Sequence, residues 1–140
     1  MSTKRLYALI YHKDNYYKSF KIKKRNGTDR EIDAPDPYLR KIQKIILTEI
    51  LYEKDLIHPN CEGFVKGRSI FTNAERHTQQ NILWKIDIRD FFPSITTQRV
   101  VNTLQYIGFN EFISIKLAEL MTYKGRLPQG APTSPYLSNF

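Results

Sequence analysis

The chain has 140 residues, 41% of them hydrophobic and 26% charged, a balance that excludes a disordered tail and lets one domain, or a piece of a larger one, bury a modest core. Lys and Arg outnumber Asp and Glu by 22 to 14, for a net charge of +8, which favours polyanionic partners. Nine Tyr and eight Phe interleave with those cations and point further to nucleic acid, since aromatic faces stack bases while cations hold phosphates. A single cysteine, Cys61, excludes an intrachain disulfide framework and a cysteine-rich zinc site, and suits a reducing compartment, so a cytoplasmic location is expected. The opening MSTKRLYALIYHKDNYYK has too short an apolar patch for a signal peptide or a membrane span, and no other window approaches the ~18 apolar residues that a spanning helix needs.

In chain order, the run from Ser19 to Ala34, SFKIKKRNGTDREIDA, alternates Phe20 and Ile22 with Lys21 and Lys23, then places Asn26-Gly27 before a second extended stretch around Glu31-Ile32. This predicts a β-hairpin with basic arms. Pro35 and Pro37 end it, and Leu39, Ile42, Ile45, Ile46 and Ile50 recur at helical spacing, predicting a helix over Pro37 to Lys54. His58 to Ser69, HPNCEGFVKGRS, reads as loop, with a short helix near Ile70 to His77. The segment Ile82 to Ile88, ILWKIDI, is apolar and β-branched except for Lys85 and Asp87, and predicts a largely buried strand with an acid near its end, closed by Pro93. Thr96 or Thr97 then caps a helix carrying Val100, Val101 and Leu104 on one side and ended by Gly108, and a second helix runs over Glu111 to Tyr123. The tail LPQGAPTSPYLSNF is a loop that turns helical near Pro135. Its Tyr136, Leu137 and Phe140 are expected to lack following turns to pack with. There is no internal repeat, low-complexity tract or flexible linker.

Four stretches carry candidate chemistry. In Asp87-Ile-Arg-Asp90-Phe-Phe92-Pro-Ser-Ile95, an acid at the end of a buried strand needs a compensating cation, which makes Asp87 a candidate metal ligand. The plainer reading is a strand-terminal cap beside a solvent-facing acid. In Leu127-Pro-Gln-Gly-Ala-Pro-Thr-Ser-Pro135, Gly130 permits close approach to a ligand and Gln129 offers both a donor and an acceptor, against an ordinary proline-rich turn. On the hairpin, Lys23, Lys24, Arg25 and Arg30 surround the Asn-Gly tip and could close over a triphosphate as a lid, against a solvated charge run. In Gly63-Phe-Val-Lys-Gly67-Arg-Ser-Ile70, followed by Asn73-Ala-Glu-Arg-His77, Lys66 and Arg68 could hug a phosphate backbone, while His77 alone reads as a packing or capping residue.

In this order, the four stretches resemble the retron-type bacterial reverse transcriptases, relatives of the group II intron enzymes, over nearly the whole chain from Phe20 to Asn139. WKIDIRDFFPSI is similar to their first catalytic motif, LPQGAPTSPYLSN to the next block, GFVKGRSI to the loop shared with intron enzymes, and NAERH to an Asn-Ala-x-x-His signature. The resemblance implies an α+β right-hand polymerase, with fingers and a partial palm, incomplete. Its divisions would be fingers over 1–81, a palm segment with the first catalytic motif over 82–105, a return to the fingers over 106–130, and the start of the next palm helix over 131–140. Asp87 would be the first of three metal-binding catalytic aspartates, with the Ile88 carbonyl also facing a metal and two Mg²⁺ ions in the complete enzyme. Amides around Asp90 and Phe91 would hold the incoming triphosphate, and Phe92 would be an aromatic gate against a ribose 2′-OH. Gln129 would lie against the incoming nucleotide, with Gly130 leaving room for template and primer. Arg30 and either Lys23 or Lys24 would grip the β- and γ-phosphates. Lys66, Arg68, Asn73 and His77 would serve the nucleic acid.

The partners implied are a structured RNA template, an RNA/DNA hybrid, deoxynucleoside triphosphates, and an effector protein in phage defence, with no membrane. The 140 residues contain no Asp-Asp pair and reach Phe140 before the Tyr-x-Asp-Asp hairpin and the thumb of the family. The chain alone is therefore expected to polymerise nothing, the remainder belonging to a longer enzyme or to a second chain. With palm strands missing, an exposed apolar face should make it marginal or oligomeric. Two other readings are a non-catalytic RNA-binding module, which has no need for Asp87, Phe92 and Gln129 together, and a nuclease using Asp87 and Asp90, which would need further acids nearby.

Overall fold

The structure, a computed structural model, describes residues 2–54 and 57–140. Helix α1 (Thr3–Tyr11) buries Leu9 and Ile10. Nothing in the motif reading pointed to it, although Leu6, Leu9 and Ile10 share one helical face. After a 3₁₀ turn over Lys13–Tyr16, β1 (Tyr17–Lys23) and β2 (Asp29–Pro35) form the expected antiparallel hairpin, in a register that runs from Tyr17 opposite Pro35 to Lys23 opposite Asp29. Its tip is closed by Lys24 N–H donating to the Thr28 carbonyl at 2.8 Å, with Gly27 at a φ of 81°. Alternation sorts the two faces. Ser19, Lys21, Glu31 and Asp33 lie on one, and Phe20, Ile22, Arg30 and Ile32 on the other.

Asp36 caps α2 (Pro37–Ile46) by accepting the Leu39 N–H at 2.8 Å, with Pro37 in the first turn where its missing N–H costs nothing. The rod continues as a π turn over Leu47–Leu51 and a 3₁₀ turn over Tyr52–Lys54. The expected span is therefore helical throughout, with the winding changing at its end. Buried Gln43 ties three elements together, its Nε2 donating to the Tyr17 hydroxyl and to the Leu120 carbonyl, both at 2.8 Å. Burial pushes the Tyr17 phenol well above its ordinary range.

The loop before α3 (Ile70–Glu75) ends in a reciprocal cap between Ser69 and Thr72. A short α4 (Phe91–Ser94) precedes α5 (Thr97–Tyr106), which Thr96 caps, and α6 (Glu111–Met121), which Asn110 caps. Gly108, at a φ of 102°, makes the reversal between these last two, and they pack on one another. Leu9, Leu39, Leu51, Leu104, Ala118, Met121 and Leu127 share one core.

Two expectations are corrected. Ile82 to Ile88 is not a strand, and it is not buried: Trp84 and Ile86 are each 84% exposed. The only sheet among the described residues is the hairpin, so this segment has no ladder to join, and an unpartnered strand is not stable in water. The second concerns α7 (Ser134–Leu137). Tyr136 and Leu137 are buried because they pack backwards instead of onward. The Tyr136 hydroxyl donates to the Leu51 carbonyl at 3.0 Å, its ring meets those of Tyr52 and Phe140 edge-on, and Phe140 joins the core margin. No helix among the described residues is long and apolar enough to cross a membrane.

Candidate functional site

Three separate stretches converge on one cleft of about 950 Å³, lined by the β2 side of the hairpin, by Asp87 to Pro93, and by Arg126, Leu127 and Gln129. Local geometry accounts for each wall. Asp90 takes a left-handed φ of 51°, which turns the extended stretch abruptly into α4 and sets the Phe91 and Phe92 rings 5.5 Å apart. The ring of Phe64, from the glycine-rich loop, meets Phe92 edge-on at 6.4 Å.

The opposite wall is fixed by a tight turn. Tyr123 and Arg126 exchange backbone hydrogen bonds of 2.9 and 3.1 Å across Lys124 and Gly125, both at positive φ (50° and 75°). Leu127 N–H then donates to the Ile95 carbonyl at 2.9 Å, and Asp33 N–H to the Gln129 carbonyl at 2.8 Å. Gly130, at a φ of 130°, lies against β2 so closely that a Cβ would stand 3.1 Å from the Asp33 carbonyl oxygen and 3.1 Å from Ile32 Cγ2. The space that this glycine leaves is filled by the hairpin.

Glu31, Asp33 and Arg126 of the lining form a charge cluster with Lys124. Lys124 Nζ lies 3.4 Å from both a Glu31 and an Asp33 oxygen, Arg126 Nη2 lies 3.4 Å from Glu31 Oε2 and 4.0 Å from Asp33 Oδ2, and Ser19 Oγ donates to Asp33 Oδ1. The Asp33 side chain is only 5% exposed, so it needs these partners. Partial desolvation lowers the affinity of the Lys124 ammonium for its proton, but Asp33 and the bond to Glu31 outweigh it and raise its pKa above the ordinary lysine value. The lining holds four cationic side chains (Lys24, Arg30, Arg89, Arg126) against five acidic ones (Asp29, Glu31, Asp33, Asp87, Asp90).

Of the residues singled out in the sequence, Lys24, Arg30, Asp87, Ile88, Asp90, Phe91, Phe92 and Gln129 all line this cleft. Lys23 lines a separate hollow of about 430 Å³ at the hairpin tip, with Lys24, Arg25 and Arg30. Gly130, Lys66, Arg68, Asn73 and His77 do not line it. Arg68 Nη1 donates to the carbonyls of His58 at 3.3 Å and Pro59 at 2.7 Å, and also to that of Cys61, lacing its own loop together. Lys66, Asn73 and His77 are exposed. Asp87 is exposed too, so the argument that burial forces a cation upon it does not hold in this structure. Its carboxylate and the Ile88 carbonyl are hard oxygen donors of the kind that Mg²⁺ takes, yet among the described residues no group of three or more His, Cys, Asp and Glu side chains could hold a metal ion. Lys124, Arg126, Glu31, Asp33 and Phe64 were not foreseen. The Lys-Gly-Arg run just before the LPQG block was the one local signal that could have drawn attention to the first two.

Residues 22–140 match the family model for the reverse transcriptase (RNA-dependent DNA polymerase). The chain belongs to the reverse transcriptase family. It is 38% identical to the retron Ec86 reverse transcriptase of Escherichia coli and 35% identical to the retron Mx162 reverse transcriptase of Myxococcus xanthus, with 99% of this chain covered in each comparison. A third relative, the retron Mx65 reverse transcriptase of Myxococcus xanthus, is 37% identical over 89% of the chain. The chain spans 44%, 33% and 33% of the Ec86, Mx162 and Mx65 proteins respectively. Within the reverse transcriptase family these relatives are retron enzymes, and the cleft is assembled from three of the four stretches that carry the resemblance.

Proposed function

We propose that this chain forms the fingers and the nucleotide-facing part of the palm of an RNA-directed DNA polymerase. The observation that carries the reading is the convergence of hairpin cations, the Asp87 to Phe92 segment and Gln129 on one cleft, from sequence positions a hundred residues apart. Arg30 and Lys24 supply cations for the β- and γ-phosphates. The cleft favours Lys24 over Lys23, which faces the outer hollow. Phe92 stands as the gate against a ribose 2′-OH, braced by Phe91 and Phe64. Asp87, with the Ile88 carbonyl, contributes part of a Mg²⁺ site, and bound Mg²⁺ would neutralise charge on the triphosphate. The fingers then comprise 1–81 and 106–130, and the palm 82–105 and 131–140. The resemblance of the sequence motifs extends the proposal to copying of a structured RNA into DNA by the complete protein, in phage defence with an effector protein.

In a polymerase-competent protein that carries this segment, Asp87→Asn should abolish Mg²⁺-dependent primer extension while RNA binding persists. Extension at an undiminished rate by that variant would sink the assignment. Asp87 is the one carboxylate that this reading assigns to the two Mg²⁺ ions, too few to clamp both, so the 140 residues alone are expected to extend no primer. Mg²⁺-dependent synthesis by this chain alone would overturn that expectation.

A further inference from the structure

Arg126 lines the cleft beside Lys24, Arg30 and Gln129, and its backbone is pinned by the Tyr123 to Arg126 turn and by the neighbouring Leu127 to Ile95 bond. Its guanidinium is only loosely engaged. The contacts of 3.4 Å to Glu31 and 4.0 Å to Asp33 are longer than the roughly 2.7–2.9 Å of a strong charge-assisted bond, and they go to two different acids, so there is no bidentate fork. Neither acid depends on Arg126 alone. Buried Asp33 keeps Lys124 and Ser19 Oγ, and half-exposed Glu31 keeps Lys124. Moving the guanidinium away therefore leaves no carboxylate buried and unpaired.

We propose that Arg126 is a third phosphate-binding cation of the cleft, masked by Glu31 until a triphosphate enters. The proposal rests on reading the cleft as a triphosphate site. The ligand-free lining carries one more acid than cation, so it gives a polyanion little net attraction. A triphosphate offers several negative charges where Glu31 offers one, and it draws the guanidinium across. Lys124, whose partner Asp33 is buried, stays behind as the structural cation. Glu31 thus opposes ligand binding, whereas a residue that merely held the hairpin in place would support it.

The two roles give opposite signs in one experiment: equilibrium binding of inorganic tripolyphosphate to this chain at low ionic strength, with thermal unfolding followed on the same samples. Glu31→Gln should tighten binding roughly two- to fivefold, the size expected for releasing a partly exposed ion pair. Arg126→Gln should weaken it, and the double variant should bind like Arg126→Gln. Weaker binding by Glu31→Gln, or an unchanged affinity in Arg126→Gln, overturns the proposal. Arg30→Ala separates the two levels of the argument. If it weakens binding while Glu31→Gln fails to tighten it, the cleft still takes triphosphate and only the mask is wrong. If wild-type chain binds no tripolyphosphate, both readings fall.

Discussion

Phe92 meets one ring from its own helix and one from a loop 28 positions earlier, Phe64. A gate works by being unable to yield, so what braces it matters as much as its size. On the proposed function, replacing Phe92 by Val should admit ribonucleotides. Phe64→Ala should act in the same direction more weakly, raising ribonucleotide relative to deoxynucleotide incorporation roughly two- to tenfold, the worth of one edge-to-face pair. A competitive incorporation assay in a polymerase-competent protein that carries this segment reads both, and an unchanged ratio in Phe64→Ala would show that the brace is idle. Tyr17 carries a different prediction. Because burial raises its pKa from the ordinary 10.0, the native state holds a proton that the unfolded state gives up above that pH. Stability should therefore be unaffected below about pH 10 and fall as pH climbs beyond it. Tyr17→Phe should flatten that alkaline slope while costing roughly 1 kcal/mol at neutral pH for the lost Gln43 bond, as urea titrations at several pH values would register. Phe92 and Gln129 were legible because they stand in local motifs. The Phe64 contact and the Lys124 to Asp33 pair were not, because pairs 28 and 91 positions apart leave no local periodicity.

At the scale of elements, the hairpin, the helix from Pro37 and the two capped helices α5 and α6 were all legible, since alternation, an Asn-Gly tip and cap residues act within a few positions of themselves. The failure at Ile82 to Ile88 has the complementary cause. Apolar β-branched composition fits a buried strand, but a strand is a property of two segments, and no second one lies beside it among the described residues. The chain's one tryptophan makes this measurable. At concentrations where the chain is monomeric, Trp84, 84% exposed, should show red-shifted emission and near-complete quenching by iodide, and amides 82–88 should exchange hydrogen rapidly. A blue-shifted, protected Trp84 in this chain would mean that the segment has found a partner.

For the whole molecule, burial is divided unevenly. Between Leu51 and Ile95 no described residue is buried, while α1, the hairpin root, α2, α5, α6 and α7 share one continuous core. The open half displays Phe64, Ile70, Phe71, Ile82, Leu83, Trp84, Ile86 and Ile88, each at least 60% exposed. That is more apolar surface than a soluble monomer ordinarily leaves in water. Sedimentation should show concentration-dependent self-association, reduced by Ile86→Lys, and limited proteolysis should cut first within this half. A compact monomer at all concentrations would contradict this. The same division bears on how the cleft works. Because Asp33 N–H is bonded to the Gln129 carbonyl and the hairpin packs into the space above Gly130, the hairpin and the LPQG block form a single fixed jaw, unable to swing apart without breaking both contacts. On the proposed function, any closing stroke of the backbone then falls to the other wall, the exposed run through Asp87 and Asp90, while the wall that carries Arg126 answers a ligand with side chains alone.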